Sequence, residues 1–354
     1  MEKKYASQMN FFASANGYGG FKSYFGEVFS SEKFDKIFVL KGGPGTGKST
    51  LMKRIAKELS NEKLNAELFW CSSDAKSLDG VIIENDKAKI AIVDGTAPHE
   101  RDAVIPGAID VIVSLGDSLD QNALGDSRES ILKLNEKKKE CYKIAYDKLS
   151  KSSVFDTNIK AEIINAIDNS ALEDTMNNIL KLGFQTQSSV SGVRLISSFS
   201  KDGYAALESF KASLSDFYTV RGEYGSDFVF MTLLADRLEK EGVGFIKLVS
   251  PLDPKTVEGI YFKDSNTAVI CGVYENVICD TRDFINVKEK SAFIEKMKAL
   301  EYCRSIYLAE AAEALKEASR YHFELENLYS KAVNFEIVNA KTENILAQLS
   351  KIFI

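Results

Sequence analysis

The chain has 354 residues, and at about 150 residues per domain that length predicts roughly two domains rather than one small module. A 45% hydrophobic and 27% charged composition excludes a disordered chain and a membrane-embedded one. A net charge of −6 supplies no broad positive field for nucleic acid or an anionic bilayer.

At the N-terminus, Met9, Phe11 and Phe12 do not amount to the apolar core of a signal peptide. No run of 18 apolar residues follows for a membrane span. The five cysteines form no CxxC pair, and two histidines without a clustered Cys/His set argue against structural zinc. A cytoplasmic protein is expected.

The segment Lys36-Ile37-Phe38-Val39-Leu40-Lys41 reads as a buried strand. It runs into Gly42-Gly43-Pro44-Gly45-Thr46-Gly47-Lys48-Ser49-Thr50, after which Met52, Ile55 and Leu59 repeat at helical spacing. Residues 66–71 and 88–94 read as two further strands, with Ser77 to Ile83 as a turn or short helix between them. This alternation predicts an α/β fold, a P-loop NTPase-like parallel sheet with helices on its faces. From about 117 to 182, and again from about 288 to 354, helical stripes replace the alternation and predict long helical extensions.

A self-comparison exposes a tandem duplication. At an offset of 180 residues, Leu40, Gly42 and Gly45 face Val220, Gly222 and Gly225. At an offset of 179, Asp74 to Val81 faces Asp253 to Ile260. The expected units are 1–186 and 187–354. These offsets set Phe228 opposite Lys48, Val229 opposite Ser49, Val273 opposite Asp94 and Ile278 opposite His99, so only the first unit is expected to bind a nucleoside triphosphate.

Residues 42–49 satisfy G-x-x-x-x-G-K-[ST] between a strand and a helix. Glycines free the backbone to turn its N–H groups onto a phosphate at the positive end of a helix. Gly42, Gly43, Pro44, Gly45, Thr46, Gly47, Lys48, Ser49 and Thr50 form the expected phosphate cradle for ATP. Lys48 reaches the β- and γ-phosphates, while Ser49 and the Walker-B-like Asp94 hold Mg²⁺. Gly95 follows Asp94 where many hydrolytic relatives of this architecture carry a glutamate, so the water-activating base is open. Thr96, His99, Glu100, Asp74 and Asp79 are the candidates, with His99 carried beside Lys48 and Asp94 in the catalytic set. An arginine finger is open among Arg101, Arg194, Arg221 and another subunit.

The segments KGGPGTGKSTLMK, CSSDAKSLDGVII, AIVDGTAPH and PGAIDVIVSLGD together resemble a bacterial family of tandem P-loop ATPases of uncharacterised role. That resemblance spans nearly the whole chain and implies ATP binding and hydrolysis. Family members carry a recognisable loop in both units, and this chain departs from that pattern in the second. The resulting expectation is a Mg²⁺-dependent ATPase acting on an unidentified protein partner, its second unit inactive or regulatory. The alternatives are a small-molecule or nucleotide kinase, disfavoured by only three arginines before residue 190, and an ATP-binding scaffold with negligible turnover.

Overall fold

A computed structural model describes residues 6–61, 63–181 and 191–353. In chain order the first half contains β1 (Ser7–Phe12), β2 (Ser14–Gly17), β3 (Gly20–Ser23), α1 (Phe25–Val28), β4 (Lys36–Lys41), α2 (Lys48–Glu58), β5 (Asn65–Trp70), β6 (Leu78–Glu84), β7 (Lys89–Asp94), β8 (Asp110–Ser114), α3 (Gln121–Asp126), α4 (Arg128–Ala166) and α5 (Asn169–Lys181). The second contains β9 (Gly192–Arg194), β10 (Ser197–Ser200), β11 (Gly203–Ala206), α6 (Glu208–Ala212), β12 (Asp216–Arg221), α7 (Ser226–Lys240), β13 (Ile246–Val249), β14 (Val257–Phe262), β15 (Thr267–Cys271), β16 (Val277–Asp280), α8 (Lys290–Ser330) and α9 (Phe335–Phe353). The expected boundary at 186/187 lies outside the described residues.

Each half builds one six-stranded sheet, ordered β1-β5-β6-β7-β4-β8 and β9-β13-β14-β15-β12-β16. The two orders are the same, element for element. The pairings match as well, with β6 and β14 antiparallel to both neighbours and the remaining pairs parallel. The sheets are therefore mixed, which corrects the expectation of a parallel one. The cause is β6, a stretch expected as a turn or short helix. Val81, Ile82 and Ile83 favour a strand, and Gly80 admits a close neighbour, since a Cβ there would lie 2.5 Å from Phe29.

The central strand β4 is a continuous apolar run because both of its faces are covered. Ile37, Phe38, Val39 and Leu40 are fully buried. On one face α2 contributes Leu51, Met52, Ile55 and Ala56. The other face joins the second half in a shared core containing Phe11, Phe69, Phe210, Ile246 and Tyr261. Across this junction the buried Glu67 carboxylate meets Arg194 at 2.9 Å and Lys263 at 2.9 Å.

The last helix of each half packs on the other half's sheet. Val338, Ile345, Leu346, Leu349 and Phe353 of α9 share a cluster with α2 and β4. Leu172, Met176 and Ile179 of α5 share one with Phe230, Leu234 and Ile260. The turns that deliver them are pinned reciprocally, Leu119 bridging Val333 and Ile167 bridging Ile285. Between these exchanges α4 and α8 run antiparallel, as the pairs Lys148–Glu310, Arg304–Asp156 and Lys296–Glu162 require. At 39 residues α4 extends about 58 Å. Among the described residues no helix is long and apolar enough to cross a membrane.

Candidate functional site

The glycine loop leaves β4 at Lys41 and ends on Gly47, which caps α2 with φ +84°. Gly45 also has positive φ, +70°, so at both positions a side chain would be strained. Thr46 Oγ1 donates to the Gly43 carbonyl at 2.8 Å and fixes the curl. Lys48, the first residue of α2, folds back over the loop, its Nζ donating to the carbonyls of Gly42 at 2.7 Å and Gly43 at 2.9 Å. The same ammonium lies 3.6 Å from Asp94 Oδ2.

Asp94 closes β7 beside β4, where Leu40 and Asp94 are register partners. Thr96 donates to Asp94 Oδ1 through its backbone N–H at 2.8 Å and through its hydroxyl. Burial pushes the Asp94 carboxyl up, against the opposing pull of Lys48 and Thr96. Ser49 Oγ accepts the Leu78 N–H at 2.9 Å, which ties α2 to the start of β6. Pro44 and Thr50 complete the loop and the first turn of α2. The structure thus brings Lys48, Asp94 and the loop carbonyls together.

His99 belongs to a neighbouring arrangement. Its ring stacks on Phe25 with centroids 4.5 Å apart, and its Nε2 is 3.0 Å from Asp79 Oδ2. Cys71, Asp79 and His99 each offer a donor atom to one cluster, all within 4.8 Å of one another. No cysteine and histidine are adjacent in sequence, yet β5, β6 and the connection after β7 deliver them to one point. Asp74 instead accepts the Lys76 N–H at 3.1 Å in the turn before β6. Two finger candidates are committed to structure: Arg101 is buried on Ser31 and Asp110, and Arg194 is held by Glu67.

The loop also has a covering the sequence did not announce. A Cβ on Gly43 would lie 3.0 Å from the Tyr329 ring, one on Gly45 would lie 2.7 Å from the Glu326 carbonyl oxygen, and one on Gly47 would lie 3.5 Å from Phe335. The end of α8 and the start of α9 therefore rest on the loop of the other half. Half-exposed His322 and Glu326 of α8 face the charges of Lys48, Asp74 and Lys138. Burial, then Lys138 and Lys48, depress the His322 imidazole, while burial and Asp74 raise the Glu326 carboxyl. No motif marks these residues, because helical spacing in α8 is fully explained by packing on α4.

The duplicated loop corrects the pairing expected from sequence offsets. Leu51, Met52, Ile55 and Ala56 of α2 are matched in burial by Phe230, Met231, Leu234 and Ala235 of α7, each 179 residues on. That register sets Asp227, not Phe228, opposite Lys48, and Phe228 opposite Ser49. Strand pairing sets Cys271, not Val273, opposite Asp94, since Leu40 pairs with Asp94 and Val220 with Cys271. The Gly95 N–H to Leu40 carbonyl bond recurs as Gly272 to Val220. The connection 95–109, which carries Thr96, His99, Glu100 and Arg101, shrinks to 272–276 in the second half. His99 has no counterpart there, so the expected match with Ile278 falls away.

A family model described as nephrocystin 3, N-terminal, matches residues 22–81, the stretch that contains the glycine loop and the start of β6. No curated protein and no solved structure matches the chain.

Proposed function

We propose that the protein is a Mg²⁺-dependent ATPase with one nucleotide site, the glycine loop of the first half, and a second half that senses the state of that loop. The observation that carries this reading is Lys48, held over a positive-φ glycine loop at a helix start and 3.6 Å from Asp94. The ammonium is held by two loop carbonyls, and the helix N-terminus beside it offers backbone N–H groups to phosphate oxygens.

The residues present fit the triphosphate and its metal. Ser49 Oγ accepts one N–H and keeps its own proton and a lone pair, and Asp94 Oδ2 lies on the side facing Lys48. Bound Mg²⁺ supplies charge neutralisation on the β- and γ-phosphates. Lys48 exchanges its loop carbonyls for phosphate oxygens, and Thr96 holds Asp94 in place for that exchange. Because Tyr329 and Glu326 pack on the loop's outer side, a change in its curl is transmitted to α8 and so to the α4–α8 pair. An unidentified protein docking on that pair is the partner this arrangement suits.

Phosphate release and nucleotide binding by wild type and Lys48→Ala test the assignment. The variant is expected to lose at least about 10²–10³-fold in turnover, the scale for removing one preorganised donor to a developing negative charge. Unchanged binding and release would sink the proposal. A second reading, ATP binding with negligible turnover, is favoured by the fate of His99, whose ring is buried against Phe25 and beside Asp79. Steady release faster than solution hydrolysis removes that reading. ADP formed only with an added acceptor would make the protein a small-molecule or nucleotide kinase.

A further inference from the structure

Cys71, Asp79 and His99 carry an arrangement that the nucleotide chemistry does not use. Their donor atoms lie within 4.8 Å of one another, the one such group among the described residues. Tetrahedral zinc, with bonds of about 2.0–2.3 Å, holds its donors roughly 3.3–3.7 Å apart. The gap to close is at most about 1.5 Å.

The buried Asp79 carboxylate favours a ligand. Asp79 is 6% exposed and His99 6%, yet Asp79 Oδ2 and His99 Nδ1 make no hydrogen bond. Asp79 Oδ2 and His99 Nε2 are 3.0 Å apart but not aligned as donor and acceptor. A cation between Asp79 Oδ2 and His99 Nε2 gives the carboxylate oxygen the partner it lacks, and leaving such a buried atom unsatisfied costs about 1–3 kcal/mol.

The duplicate half shows the other way to settle a buried acid at this position. Glu258, the counterpart of Asp79, accepts from Ser197 Oγ at 2.5 Å and from the Tyr204 hydroxyl at 2.8 Å. It has hydroxyl donors in place of a thiol and an imidazole, and the connection that brings His99 is missing. Among the described residues, a thiol, an imidazole and a carboxylate meet at one point only in the half that keeps the lysine loop.

We propose that Cys71 Sγ, Asp79 and His99 bind a single Zn²⁺-class divalent ion, with a fourth position open on the partly exposed side of Cys71. A mixed thiolate, imidazole and carboxylate set selects zinc over magnesium or calcium. On binding, the Cys71 proton leaves to solvent as the metal–sulfur bond forms. The ion braces the start of β6, whose Leu78 N–H holds Ser49 Oγ, so it stiffens the loop from below.

Titration of the full chain with Co²⁺, reduced and without nucleotide, tests this independently of the ATPase assignment. The expected result is one equivalent per chain, with a thiolate-to-cobalt charge-transfer band that Zn²⁺ abolishes and that is missing in Cys71→Ser. Cys71→Ser and His99→Ala should each weaken Zn²⁺ more than about 100-fold, beyond the effect of losing a group that merely orients a ligand, while Cys141→Ser should not. If a variant fails to fold, protection of Cys71 from alkylation by Zn²⁺ in wild type gives the same answer. A wild-type chain with no charge-transfer band and no protection, or a Cys71→Ser chain that retains the band, overturns the proposal.

Discussion

The two halves share a strand order, a pairing pattern and a glycine-capped helix after the equivalent strand, yet the groups around that helix start are inverted in charge. In the first half Lys48 sits against Asp94. In the second, Asp227 and Cys271 occupy those positions, with Glu258 nearby, so an acid stands in the lysine's place. Burial raises the Asp227 carboxyl to about 6 and the Glu258 carboxyl to about 7. The fold survives this exchange because its apolar packing lies deeper, at Leu51, Met52 and Ile55 in one half and Phe230, Met231 and Leu234 in the other. The comparison teaches that the framework and the charges at the helix start are separable, since the second half keeps the packing without the lysine–aspartate pair.

If the halves are interlocked rather than merely linked, removing α9 should damage the half to which it is not adjacent in sequence. Truncation before Phe335 strips Val338, Ile345, Leu346, Leu349 and Phe353 from the α2 face. At about 1.5–3 kcal/mol for each buried apolar side chain, the loss is on the order of 10 kcal/mol, comparable with the whole stability of a domain. The expected outcome is an aggregated chain or one lacking a cooperative thermal transition. A soluble truncated protein that melts cooperatively and binds ATP would show the halves to be independent.

A smaller intervention severs the ionic seam between them. Glu67→Gln leaves Arg194 and Lys263 without their shared carboxylate in a buried setting, at a cost of about 4 kcal/mol, the scale for breaking one side of a buried pair. Burial alone would raise this carboxyl, but Arg194 and Lys263 prevail and hold it down at about 2. Its stabilisation is therefore complete above the ordinary glutamate value of 4.5 and lost as pH falls towards 2. Denaturant midpoints measured between pH 6 and pH 3 should fall for wild type and narrow the gap to the variant, without closing it. Parallel curves would show that the seam carries no proton linkage.

The loop, its strand and its helix were legible because their requirements are local: positive φ at glycines, an apolar run for a strand covered on both faces, and periodic burial along α2. The duplication was legible as well, but its register was not. Sequence offsets drift by a residue or two through loops, so Phe228 and Val273 stood where burial and strand pairing place Asp227 and Cys271. The antiparallel β6 was hidden because Asp79-Gly80 has the composition of a turn, and only the approach of Phe29 explains the glycine. The cover from Tyr329 and Glu326, the exchange of α5 and α9 and the meeting of Cys71 with His99 depend on tertiary topology. No periodicity in the sequence encodes which sheet a terminal helix will choose.

The finest test of the comparison is that the halves should respond to pH in opposite directions. Glu258 has its folded value raised from 4.5 to about 7, chiefly by burial, against the hydrogen bonds from Ser197, Tyr204 and Ser250. For a carboxyl raised on folding, the native state binds more protons between the two values. Stability is then fully present below 4.5 and lost as pH rises through 7. The raised Asp227 adds to the same slope. Glu258→Gln removes one ionisation, so the decline between pH 5 and pH 8 should flatten by on the order of 2 kcal/mol, less than the full linkage because part of it falls below pH 5. Chemical denaturation of both proteins across that range checks it, and since Glu67 is already fully ionised there, the seam contributes nothing to the difference. A variant curve as steep as wild type would remove Glu258 as the source and leave Asp227 as the group to replace.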